Sequence, residues 1–105
     1  MTTVEMTCSQ FTWSIIMLEM YIKSMELERG RVHEIWPYIR NLLKARYADF
    51  RNTNKISISI ELSNVEITRL MELMDYIINE NSLPSEKCYA SLMLKKLTEA
   101  YNDYC

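Results

Sequence analysis

The groups in this 105-residue chain that could do covalent or acid–base chemistry are three cysteines, one histidine and fourteen carboxylates. Nucleophilic catalysis would pair Cys8 or Cys88 with His33, because a thiol needs a base within hydrogen-bond reach. Nothing local in the sequence supports either pairing. A zinc site would need four nitrogen or sulfur ligands. Here Cys8, Cys88 and Cys105 lack C-x-x-C spacing, and His33 has no second imidazole to share a metal. Glu72 and Asp75 are three residues apart on one helical face, which reads as a solvated face rather than an acid–base pair. Gly30 is the sole glycine, so no glycine loop can cradle a phosphate, and neither H-E-x-x-H nor G-x-S-x-G occurs. The expectation is a chain that is not an enzyme and takes no cofactor or metal. Its thiols are expected free in a reducing cytosol, with Cys8 and Cys88 as small hydrophobes and Cys105 as a terminal thiol.

Two surfaces remain as candidates for binding. At 100° per residue, Arg40, Lys44 and Arg51 fall within about 40° of one another on one helix. Trp36 and Tyr47 edge that stripe, and His33 joins it if the helix starts early enough. A basic ridge edged by aromatics (Arg40, Lys44, Tyr47, Arg51) suits a phosphate or an acidic partner. The competing reading is a solvated face balancing acid elsewhere. Residues 31–55 hold six basic and two acidic side chains, against two and four in residues 1–30 and four and eight in residues 56–105. With a net charge of −2 the chain lacks the basic footprint of a dedicated nucleic-acid binder. The second surface is on the first helix. Phe11, Ile15, Leu18, Ile22 and Met25 form one apolar stripe, and Trp13, Ile16, Met17, Met20 and Leu27 form another on roughly the opposite side. A helix apolar on both sides is either central in its domain or shared with a partner. On the second alternative, Trp13, Met17, Met20 and Leu27 are the partner-binding residues.

The elements that position these groups follow from periodicity. Residues 2–8 alternate as a weak strand, with Val4, Met6 and Cys8 on one side. Ser9 to Glu28 reads as a helix, with Gly30 where a C-cap glycine belongs. A second helix runs from Val32 or Trp36 to Asn52, and Pro37 is either in its first turn or at an interior kink. Residues 51–54 form a polar turn. In the next strand Ile56, Ile58, Ile60 and Leu62 alternate with Ser57, Ser59 and Glu61 over residues 55–62. Ser63 and Glu66 form a capping box for a third helix to about Glu80, which buries Ile67, Leu70, Met74, Ile77 and Ile78. Asn81 to Pro84 is a turn. Ser85 is read as the cap of a last helix to about Tyr104, with Tyr89, Met93, Leu97, Ala100, Tyr101 and Tyr104 inward. The fold class is α+β, predominantly helical: four helices with one small sheet, in the order β-α-α-β-α-α. The strand at 55–62 takes its partner from residues 2–8, from a second copy of the chain, or from a target protein.

The length fits a single domain spanning residues 1–105. One glycine and two prolines are too few for the turns of a mainly β protein. The first ten residues carry no Lys or Arg, and the apolar run Ile15–Leu18 is cut by Glu19, which argues against a secretory leader. No stretch reaches the 18 or more apolar residues of a membrane span. A cytoplasmic protein with no membrane association is expected.

The run from Lys55 to Tyr104, rich in Ile, Asn, Lys and Tyr, has a strand leading into an L-S-x-x-E helix start at Leu62, Ser63 and Glu66. It resembles the small orphan proteins of phages and mobile elements of Gram-positive bacteria. The resemblance implies an anti-CRISPR or other anti-defence inhibitor, or a small transcription regulator, and it transfers no functional residue. The first expectation is a non-catalytic inhibitor that occludes a larger protein, with a host nuclease complex as target and the host cytoplasm as its place of action. The alternative is a small nucleic-acid-binding regulator that uses the basic ridge. A homodimer is compatible with either.

Overall fold

An isolated strand leaves a row of backbone donors and acceptors unpaired, so the alternating segment before Ser63 requires a partner. In the computed structural model, which describes residues 1–80 and 83–104, the N-terminal segment supplies it. The order is β1 (Thr2–Thr7), α1 (Cys8–Arg29), α2 (Ile35–Arg51), β2 (Ser57–Leu62), α3 (Asn64–Asn79) and α4 (Pro84–Tyr104). β1 and β2 pair as a two-stranded antiparallel sheet, so the fold is α+β and predominantly helical, as the periodicity requires. Thr2, Val4, Met6, Ile60 and Leu62 are buried, while Thr3, Glu5, Ser59 and Glu61 alternate with them as exposed residues. Across the wet side, the Ser57 hydroxyl donates to the Glu5 carboxylate at 2.8 Å. The oily face is shorter than its sequence pattern. Ile56 precedes the first strand residue and is 86% exposed, so the apolar alternation outlasts the ladder.

The chain forms two compact units, Glu5–Ile58 and Met1–Val4 with Ser59–Cys105. In the first, β1 passes directly into α1. The Thr7 side chain accepts from the Gln10 amide at 3.2 Å, and the Gln10 side chain accepts from the Thr7 amide at 2.9 Å. This capping box satisfies two amides that the helix itself leaves without acceptors. Cys8 therefore opens the helix as an exposed residue, and does not extend the buried side of β1. α1 stops at Gly30, whose φ of 73° is left-handed and whose amide donates to the Glu26 carbonyl at 2.9 Å. α2 begins at Ile35, which puts Pro37 in the first turn, where a missing N–H costs nothing. Phe11, Leu18, Ile22, Trp36, Ile39, Leu43 and Phe50 are among the buried residues of this helix pair. Phe11 meets Phe50 at 5.7 Å between ring centroids, and Tyr21 meets Trp36 at 4.9 Å.

The second unit opens α3 with the predicted capping box. The Glu66 carboxylate accepts from the Ser63 amide at 2.7 Å, and the Ser63 hydroxyl accepts from the Glu66 amide at 3.2 Å. Ile67, Leu70, Met74 and Ile77 are buried as expected, Leu73 joins them, and Ile78 is half-buried. The expected cap at Ser85 is corrected. The Lys87 amide donates to the Leu83 carbonyl, so the helix starts at Pro84 and Ser85 lies inside its first turn. Proline at the first helical position is preorganised for that role. Ala90, Met93 and Leu97 are buried on α4, while Tyr89, Ala100 and Tyr101 are only half-buried. Residues 81 and 82, where a turn is expected, Cys105, and the side chains of Asp103 and Tyr104 lie outside the described residues.

Two serines give opposite expectations for stability. Ser63→Ala removes a helix cap and should cost about 1 kcal/mol. Ser14 is buried on α1 with no hydrogen-bond partner for its hydroxyl among the described residues, so Ser14→Ala should raise stability by about 1 kcal/mol. Urea denaturation of both variants beside the wild type measures the two signs.

Candidate functional site

α1 has two faces because α2 takes one of them. Phe11, Leu18, Ile22 and Met25 are buried, with Phe11 against the Tyr47 and Phe50 rings of α2. On a helical wheel the opposite side carries Trp13, Ile16, Met20 and Leu27 within about 60°. Ile16 is 46% exposed, Met20 54% and Leu27 88%, and Trp13 is half-buried. Lys23 lies about 20° beyond Ile16, so the outer side is an apolar stripe with one cation at its edge. Large apolar side chains exposed in a row are a common mark of a contact surface.

Of the four expected partner-binding residues, Trp13, Met20 and Leu27 lie on this stripe. Met17 does not: it is 8% exposed and belongs to the core. It sits about 60° from Met20 on the wheel, enough to turn it away from solvent. Ile16 takes its place. Spacing alone does not separate the two, since 13, 17, 20 and 27 fit an alternation of four and three as well as 13, 16, 20 and 27 do; the burial of Met17 decides it.

The basic ridge is altered by its neighbours. The Lys44 ammonium is paired with the Glu19 carboxylate of α1. That hydrogen bond holds the Glu19 carboxyl below its ordinary value; burial opposes it, and the charges of Lys44, Arg40 and Lys23 add to the lowering. Arg40 is half-buried, and its Nε donates to the Asn41 side chain at 3.3 Å. Arg51 is exposed and makes no ion pair among the described residues. Both aromatic edges of the ridge are corrected. Trp36 is buried against Tyr21, and Tyr47 packs its half-buried ring edge-on to Phe50, so neither offers an open stacking face. His33 is corrected too. It precedes α2, and its Nδ1 accepts from the Ile35 amide at 3.1 Å, which makes it part of that helix start.

Cys8 and His33 are not brought together. They flank opposite ends of α1, whose 22 residues span about 33 Å. The Cys8 sulfur lies instead 3.6 Å from the Tyr47 hydroxyl. Cys8 and Cys88 are both free thiols, as expected, and both are exposed. Glu72 and Asp75 border an open groove of about 350 Å³ lined also by Thr68, Met71 and Leu94. Glu72 is held by Arg69 at 3.1 Å and Asp75 accepts from Asn79, so each carboxylate has a local partner. Among the described residues no three His, Cys, Asp or Glu side chains are grouped to hold a metal, and no helix is long and apolar enough to cross a membrane.

The Glu19–Lys44 pair makes a pH prediction. A carboxyl whose folded pKa is depressed contributes stability above its unfolded value and loses it as pH falls through the folded value. Lys44→Met should therefore shift the Glu19 titration upward, toward the ordinary carboxylate range, as followed by NMR of its side-chain carboxyl. The exposure of both groups makes the accompanying stability change small and salt-sensitive. No family model matches the chain, and neither a curated protein nor a solved structure matches it.

Proposed function

We propose that this chain is a non-catalytic protein-binding protein that acts by stoichiometric occlusion of a larger protein, with the outer stripe of α1 as its contact surface. The observation that supports this reading is the exposure of Ile16, Met20 and Leu27 in a row on a helix whose other side is already buried. The target class is the one the resemblance implies, a nuclease complex of a bacterial host's defence, met in the host cytoplasm. The nucleic-acid reading has weaker support. Lys44 is spent on Glu19 and Trp36 is buried, which leaves Arg40 and Arg51 without the aromatic partners the ridge was expected to have.

Affinity capture from a bacterial lysate, with identification of the retained protein, tests the proposal when a variant is run beside the wild type. Met20→Asp with Leu27→Asp places two carboxylates in the stripe without entering the core, so the variant should keep its helical circular dichroism and lose the captured protein. Leu18→Asp is the folding control, since a carboxylate at a fully buried site costs several kcal/mol and should unfold the chain. A folded double variant that still captures the same protein overturns the assignment of the surface. Retention on heparin or DNA that collapses by about 0.2 M salt, with no protein captured, would favour the basic ridge instead.

A further inference from the structure

The two margins of the α1 stripe differ in charge. From Ile16 the wheel reaches Lys23 after about 20° and Glu19 after about 60°. On that side Lys44 of α2 pairs with Glu19, and the charges of Arg40 and Lys23 also reach its carboxylate. In the other direction, beyond Met20, come Ser24 and then Glu28, with no cation of α1. All of these residues lie in one compact unit, Glu5–Ile58.

With Lys44 and Glu19 answering each other, Lys23 and Arg40 are left without an ion pair among the described residues. Arg51, two turns beyond Lys44 on the same side of α2, is a third such cation. Against them stands Glu26, exposed on α1 and also without an ion pair among the described residues. Cations therefore exceed carboxylates along one margin of an apolar stripe. The complement of such a surface carries apolar side chains beside carboxylates. A helix laid along α1 presents both, with apolar anchors every three or four residues. A phosphate backbone would match the cations but leave Ile16, Met20 and Leu27 uncovered, and the packed rings of Trp36 and Tyr47 give a base nowhere to stack.

We infer that the segment of the target seated on this stripe is an acidic amphipathic helix, with its apolar side on Ile16, Met20 and Leu27 and its carboxylates over Lys23 and Arg40. The inference rests on the reading of the stripe as a protein contact and states the chemistry of what it meets. The cationic margin sets the orientation and speed of encounter, and the apolar residues supply most of the hold.

Two labelled peptides of about 20 residues, long enough as helices to run along α1, test it. Both carry the same leucine face, and the polar face is glutamate in one and lysine in the other. Fluorescence anisotropy at low salt should show the glutamate peptide binding the full chain and the lysine peptide not binding. Lys23→Gln with Arg40→Gln should weaken the glutamate peptide about tenfold, a difference that about 0.5 M salt should largely remove. Lys55→Gln with Lys95→Gln removes two exposed cations outside this margin and should leave the affinity unchanged. Met20→Asp with Leu27→Asp should abolish binding while circular dichroism stays unchanged. No binding of the glutamate peptide, equal binding of the lysine peptide, or equal weakening by both Gln pairs overturns the inference. So does duplex DNA that binds more tightly than the glutamate peptide and is weakened by Lys23→Gln with Arg40→Gln, which would assign the margin to a nucleic acid. A dimer in light scattering that excludes the peptide overturns it in favour of a second copy. A target captured from lysate and lost with the Asp substitutions, by a chain that ignores the glutamate peptide, overturns this inference alone and leaves the proposed function standing. An Asp variant that still captures its target overturns the proposed surface and this inference with it.

Discussion

Each strand ends by turning straight into a helix, so the first amides of α1 and α3 must find acceptors within the turn itself. Both junctions solve this in the same way, with Thr7 and Gln10 at one and Ser63 and Glu66 at the other exchanging side-chain and backbone hydrogen bonds. The rest of the structure hangs on these two turns. They fix where each helix begins, and so which residues of it point inward once the buried faces of β1 and β2 are set. In sequence order the chain is two successive strand–helix–helix passages, Thr2–Arg51 and Ser57–Tyr104.

Where local pattern and local chemistry agree, the sequence was enough. Serine and glutamate three residues apart ahead of an apolar period of 3.6 marked α3, and Gly30 marked the end of α1. The junction at Thr7 was hidden because the alternation of Val4, Met6 and Cys8 carries the strand pattern one residue too far, into the helix. Ile56 misled in the same manner at the other strand. A period-two pattern reports which side a residue would face if paired, and it does not report where the pairing stops. At the start of α4, proline won over serine because the helix needed a fixed φ more than a side-chain acceptor.

The candidate surface was only half legible. α1 is apolar on nearly every side, so no hydrophobic periodicity could say which apolar residues would be covered. That choice is made by α2, through Phe50 and Tyr47 against Phe11 and through Trp36 against Tyr21. Met17 and Met20 look equivalent in the sequence, and a 60° difference in direction sends one inward and the other out. The fate of the basic ridge was equally tertiary. Lys44 and Glu19 are on different helices, and only their packing turns a free cation into one already answered. Aromatics beside basic residues had suggested a stacking surface, yet Trp36 and Tyr47 had better use as apolar mass between helices.

Gly30 carries a consequence for how the chain tolerates change. No side chain crowds its position, and the barrier to replacing it is the left-handed backbone alone. Residues that visit that conformation most readily, asparagine and aspartate, should be accepted there better than β-branched ones. The stop of α1 is therefore set by torsion rather than by walls. The length of the helix can drift by sequence change without disturbing any packed neighbour, while the position of every side chain upstream of Gly30, Leu27 included, stays anchored from the other end.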